Sequence, residues 1–285
     1  MNLLRTKIIA ALVVMAISGA ASAGTNIDVQ TRVNADIAEG KPVVVHVVVA
    51  LCDNVNQGIV PVPKALGNGQ DYKSNLYWGA LYGIRTHLSR SANWTRLDIQ
   101  RPADGRILDR IVMYAEVKRD QRAVPVYIVA DAWDGARIRE AMLTYLEMTA
   151  GRASETVVVT RHSGTHAIQA GGASHVAAYV GHNGLMDFRL ETPAPASKAS
   201  PARSAIVLAC ASKSYFLDHL RTTGAHPLLL TTGLMAPEAY TLDSALRSWI
   251  AKGTTAAAVE GAAGAYNRYQ KCGLGPARRL FWGQQ

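Results

Sequence analysis

The sequence predicts an α/β fold, a three-layer sandwich with a mostly parallel central sheet. Three observations lead there. Short apolar runs recur along the chain, and several lack period-two alternation, as strands covered on both faces do. Between the runs lie segments whose apolar residues repeat at helical spacing. Strands that alternate with helices in this way build a parallel sheet with helices on both sides.

The first residues, MNLLRTKIIAALVVMAISGAASAG, place Arg5 and Lys7 before an apolar run from Ile8 to Ile17 and the small-x-small pattern Ala21-Ser22-Ala23. This is the pattern of a secretory signal peptide over residues 1–23, too short for a membrane span of about 20 apolar residues. The expected mature chain, residues 24–285, is one α/β domain located in the periplasm or outside the cell, with no membrane span. Loss of two cations and no acid takes its net charge from +9 to +7. Single Lys and Arg residues carry that charge, with only short pairs such as Lys118-Arg119 and Arg278-Arg279. No block follows a phosphate backbone, which argues against a nucleic-acid partner.

The expected strands, in order, are PVVVHVVVAL (42–51), ILDRIVMYAEV (107–117), VPVYIVA (124–130), ETVVVT (155–160), HVAAYV (175–180), SAIVLA (204–209) and HPLLLTT (226–232). The expected helices follow from spacing and caps. NLYWGALYGIRTHLSR (75–90) aligns Tyr77, Ala80, Leu81, Ile84 and Leu88 on one face. DGARIREAMLTYLEM (134–148) does the same with Ile138, Ala141, Met142, Tyr145 and Leu146, with Asp134 as N-cap. PEAYTLDSALRSWIAKG (237–253) opens at Pro237 and closes at Gly253. A long Gly/Pro/Asn-rich loop, 52–75, follows the first strand, and a loop of that length is functional or disordered. ETPAPASKASPAR (191–203) has the composition of a flexible linker.

Ligands and reacting groups gather beyond the carboxyl ends of parallel strands. Three features emerge at such ends: Cys52-Asp53-Asn54, Gly181-His182-Asn183-Gly184 and Cys210-Ala211-Ser212. Cys210 precedes the helix-like SKSYFLDHLRTTG, whose positive N-terminal end favours a thiolate. A nearby imidazole would complete a nucleophile and base. Flanking glycines leave room for a substrate and for N–H groups that stabilise an oxyanion.

AYVGHNG and IVLACAS, two apolar strands ending in a histidine beside glycine and in Ala-Cys-small, resemble the histidine and cysteine strands of the caspase-like cysteine peptidases, which include caspases, gingipains, legumains and CHAT-domain proteins. PLLLTTGLMAPEAYTLDSALRSWIAKG resembles the strand and helix that follow, particularly in CHAT domains. The resemblance implies a caspase-like fold and a hydrolase of peptide or protein substrates that needs no cofactor. His182 would be general base and acid, Cys210 the nucleophile, and the oxyanion hole would use the Cys210 N–H with one near Gly184 and Asn183. Asp53, just after the first strand, would read a basic P1 side chain. Asn183 stands between histidine and glycine where the family has glycine next, and 28 residues separate His182 from Cys210, little room for a helix.

Competing readings attach to the same residues. A catalytically inactive protein of this fold could bind a peptide or protein partner along the same edge. His162, His166, His175 and His182 fall within 21 residues, and His162-x-x-x-His166 has metal-ligand spacing. That opens a metal-binding reading of the cluster, although Gly164 and QAGGAS suit a solvated hairpin better. Asp131 and Asp134 suit turn and N-cap carboxylates, and Tyr77 and Trp78 suit the core. With three cysteines, any disulfide is expected to join Cys52 to Cys272 and leave Cys210 reduced.

Overall fold

A computed structural model describes residues 26–99, 102–195 and 200–285. The signal-peptide segment 1–23 and residues 196–199 of the linker-like stretch lie outside them. The elements run α1 (Asn26–Ala38), β1 (Val43–Ala50), α2 (Ile84–Arg90), β2 (Thr95–Ile99), β3 (Ile107–Arg119) and β4 (Arg122–Trp133). Then follow α3 (Ile138–Thr149), β5 (Glu155–Arg161), β6 (Gly164–Ala170), β7 (Val176–Val180), β8 (Ser204–Leu208) and α4 (Ser212–Thr223). The chain closes with β9 (His226–Thr231), α5 (Ala239–Lys252), α6 (Thr255–Gln270), α7 (Leu274–Leu280) and β10 (Phe281–Trp282).

All seven apolar runs form strands of one ten-stranded sheet, ordered β10-β9-β8-β7-β1-β4-β3-β2-β5-β6. Strands β4, β1, β7, β8 and β9 are mutually parallel. The rest run antiparallel to their neighbours, so the sheet is mixed, with a parallel centre. ILDRIVMYAEV and VPVYIVA form an antiparallel hairpin turned at Asp120, whose φ of 54° lies in the left-handed region. All eight residues of β1 are buried, which is why this strand shows no polar face.

Helices cover both faces. One core packs α1, α2, α5 and α6 on the side chains of Val43, Val45, Val47 and Val49. The opposite core packs α3 and α4 on Val48, Ala50, Ala177 and Tyr179. Toward β6 that second face is covered by the β5–β6 hairpin, through Val157, Val159 and Ile168. Burying an aliphatic side chain contributes about 1.5–3 kcal/mol, so β1 anchors both layers.

Two helix expectations need correction. Over 75–90 only Ile84–Arg90 is helical. Residues 75–83 form tight turns because Asn75 is tied to the first strand's exit, donating to Cys52 O at 2.8 Å and accepting from its N–H at 3.0 Å. Gly79 also lies so close to the Lys73 carbonyl that a Cβ would meet it at 1.9 Å. Asp134 caps the short 3-10 turn Gly135–Arg137, accepting from Ala136 N, and the turn leads into α3. α5 behaves as expected, ending at Gly253 in the left-handed conformation.

Asp131 is not a turn carboxylate. It lies inside β4 and is buried. Arg110 donates to both of its oxygens, at 2.5 and 2.6 Å, and also holds Glu155 at 2.8 Å. His46 Nε2 lies 3.0 Å from Asp131 Oδ2, and its Nδ1 accepts from Gly171 N at 2.9 Å. Burial alone would raise the Asp131 pKa, but Arg110 and His46 outweigh it and hold the carboxyl below its usual range. His46, Asp131 and Glu155 have the spacing of a cation site. With Arg110 on both carboxylates and both His46 nitrogens engaged, the cluster is a hydrogen-bonded ion network.

Candidate active site

Read along the chain, the five parallel strands have the order 2-1-3-4-5 of a doubly wound sheet. The order reverses between β1 and β7, and in open sheets of this kind ligands gather outside the carboxyl ends of the strands at such a reversal. Cys52 and Asp53 leave β1 at this place, His182 leaves the adjacent β7, and Cys210 leaves β8, the next strand over. The three strand ends expected to converge are neighbours.

β7 is fully buried and ends at Gly181, whose φ of 151° turns the chain. His182 follows, 8% exposed. Its Nε2 lies 2.7 Å from Asp187 Oδ2. The Tyr179 hydroxyl donates to His182 O at 2.8 Å and fixes the backbone beneath the ring. A proton on Nε2, donated to Asp187, leaves the lone pair on Nδ1 free to act as a base. Asp187 closes the stretch that begins at β7, but its pairing depends on the 3-10 turn Gly184–Met186, which folds the chain back on the histidine.

Asn183 connects the two strand ends. Its Nδ2 donates to Cys210 O at 2.7 Å, and its Oδ1 accepts from Leu185 N at 3.1 Å. Its side chain therefore sets the spacing of the loops. Gly184 was expected near the oxyanion hole, but its N–H donates to His182 O at 3.1 Å. The glycine is required by packing, since a Cβ there would meet the Phe188 ring at 2.6 Å. Among the described residues no backbone acceptor takes the Cys210 N–H.

Cys210 is half-buried at the tight passage from β8 to α4. The next residue, Ala211, has φ 48°, a left-handed conformation costly for a residue with a Cβ, and its N–H donates to Gly233 O at 2.8 Å. Ser212 begins the 12-residue α4 and exchanges hydrogen bonds with Thr231 of β9. The thiol thus sits beside the positive end of a helix. Its Sγ accepts from Met235 N at 3.5 Å and lies 3.6 Å from Met235 O.

Asp53 is 1% exposed and directed into its own loop. Oδ1 accepts from Val55 N at 2.9 Å and Asn56 N at 3.1 Å, while Oδ2 accepts from Asn56 Nδ2 at 2.9 Å and Gln70 Nε2 at 3.1 Å. Burial would raise its pKa, but these donors hold it below the carboxylate range. The geometry makes Asp53 an organiser of loop 52–75. The loop is densely hydrogen-bonded and reaches the site elsewhere: Gly58 N donates to Asp187 Oδ2 at 3.0 Å.

The four clustered histidines are not brought together. His162 is in the β5–β6 turn and His166 bonds Ser163 Oγ at 2.9 Å on the edge strand β6. His175 lies just before β7, at its amino end, between Val44 N and Asp36, and His182 lies past the opposite end. A hairpin and the full length of β7 separate them, which removes the metal reading of this cluster. The three cysteines are unbridged. Cys52 is buried against the Tyr77 hydroxyl, and burial pushes its thiol up to about 11, whereas Cys272 is exposed. The Cys52–Cys272 pairing is therefore absent. Tyr77 and Trp78 are core residues, Trp78 Nε1 donating to Asp109 at 3.0 Å.

Among the described residues no helix is long and apolar enough to cross a membrane. No protein-family model matches the chain, and no significant match was found among curated proteins or solved structures, so a functional reading rests on the geometry of this site.

Proposed function

We propose that the protein is a cysteine hydrolase of peptide bonds, of the caspase-like kind, with Cys210 as nucleophile, His182 as base and acid, and Asp187 orienting the imidazole. The observation that carries this reading is the His182–Asp187 pair on the strand end next to Cys210, with Asn183 tying the two ends together. The left-handed Ala211 and the helix that follows support a nucleophile position.

In this mechanism His182 Nδ1 takes the thiol proton as sulfur attacks the substrate carbonyl, and the Cys210 N–H stabilises the oxyanion. Collapse expels the amine, protonated by the imidazolium, and leaves a thioester. His182 then deprotonates a water, which releases the acid and restores the thiol. Asp187 accepts from Nε2 throughout and stabilises the imidazolium.

The surroundings favour apolar substrate side chains. Val55 and Val60 of loop 52–75 are 88% and 87% exposed, and Leu234, next to Met235, is 76% exposed. Met186, beside Asp187, is half-exposed. Asp53, with four internal donors, is not favoured as a contact for a basic P1 residue. A catalytically inactive, peptide-binding reading has one observation on its side: the Cys210 sulfur engages the Met235 backbone.

The two readings separate on a fluorogenic peptide library together with a thiol-directed acyloxymethyl ketone probe. Turnover and labelling lost in both Cys210→Ala and His182→Ala support the hydrolase. Labelling that persists without His182, or peptide binding with no turnover, removes it.

A further inference from the structure

A recess lies in the helical layer that holds α2, α5 and α6. It is a cavity of about 510 Å³ between α2, α5 and α6, within the size range of small-molecule sites. Three tyrosines build one wall. Tyr240 and Tyr269 stack with centroids 4.0 Å apart and planes 5° from parallel, and Tyr82 meets both edge-on at 5.7 and 5.3 Å. Tyr240 is held in place, its hydroxyl donating to Glu238 at 2.5 Å and accepting from Gln270 at 2.8 Å. Tyr269 is 40% exposed, so the aromatic wall is open to a ligand.

The charges around this wall are unbalanced. Asp243 is occupied by Trp94 Nε1 at 2.8 Å, Arg247 at 3.2 Å and His87 at 3.6 Å. Glu260 is occupied by Arg278, at 2.6 and 2.8 Å. Arg90 and Arg268 also line the cavity, and among the described residues neither guanidinium group forms an ion pair or a hydrogen bond. Two free guanidinium groups beside a rigid aromatic surface match a ring carrying a negative group: the ring packs on the tyrosines and the anion takes charge-assisted hydrogen bonds. The floor includes Gly264, where an added Cβ would meet nothing within 4 Å.

We propose that this cavity is a binding site for a small aromatic anion, held by the Tyr82–Tyr240–Tyr269 wall and by Arg90 and Arg268.

Calorimetric titration of the full chain with phenyl phosphate, inorganic phosphate and benzyl alcohol tests it. Phenyl phosphate is expected to bind saturably, and the other two roughly tenfold or more weakly, because each lacks one half of the recognition. Arg268→Ala and Tyr269→Ala, both at exposed positions, should each weaken phenyl phosphate roughly tenfold, while Arg221→Ala on α4 leaves it unchanged. Gly264→Leu should fill the cavity and abolish binding with an unaltered circular dichroism spectrum. Absence of saturable phenyl phosphate binding, equal binding of inorganic phosphate, or wild-type affinity in Arg268→Ala and Tyr269→Ala would each overturn the proposal.

Discussion

His182 Nε2 and Asp187 Oδ2 lie 2.7 Å apart, and the same Asp187 oxygen accepts from Gly58 N at 3.0 Å. One carboxylate thereby joins the histidine loop to the long loop that leaves β1. Asp187→Asn keeps the shape but lets the amide present a donor, which favours the wrong imidazole tautomer. The expected loss in the second-order rate of Cys210 labelling and of any peptide turnover is on the order of 10²-fold or more. Unchanged rates would remove Asp187 from the machinery.

Gly58 approaches Asp187 so closely that a Cβ would lie 2.2 Å from Oδ1. Gly58→Ala must push the carboxylate or the loop. It should lower His182-dependent labelling roughly tenfold while leaving the unfolding midpoint almost unmoved, since the contact is at an exposed loop. A large fall in midpoint with labelling intact would show that the contact serves only folding.

The three thiols should separate by reactivity. With its thiol pushed to about 11 and no exposure, Cys52 is roughly one part in a thousand thiolate at pH 8 and should stay unmodified in native protein. Cys272 should alkylate at an ordinary rate because it is exposed. Cys210 should alkylate in a way that depends on His182. Peptide mapping by mass spectrometry after timed iodoacetamide treatment reads all three, and fast labelling of Cys52 would contradict the burial described above.

Acid should weaken the fold through His226. This buried residue has its folded pKa lowered by burial from 6.5 to about 4. As pH falls the unfolded chain takes the proton first, so stability is full above about 6.5 and declines until about pH 4. The decline from this residue is about 3 kcal/mol at its limit. Urea midpoints at pH 7 and pH 4.5 should differ less in His226→Gln than in wild type. Equal pH dependence in the two proteins would assign the effect elsewhere.

The sequence by itself determined the strands. Runs such as PVVVHVVVAL are too apolar to face water on either side, and burial of both faces is what a central strand requires; all seven runs are in the sheet, ETVVVT with one face exposed. It also determined that Cys52, His182 and Cys210 leave strands, because each follows the end of an apolar run. Strand order decided that these ends are neighbours, and no local pattern encodes an order that depends on where each crossover packs. Tertiary contacts also decided the roles of the carboxylates. Asp53 and Asp187 look alike beside their strands, yet loop turns direct Asp53 onto four donors of its own loop and Asp187 onto His182. Likewise the four histidines between 162 and 182 are close along the chain and apart in space, because a hairpin and a full strand intervene. Hydrophobic periodicity fixes which faces are buried. Hydrogen-bond partners many residues away fix where a polar side chain points, and those are set only when the chain has packed.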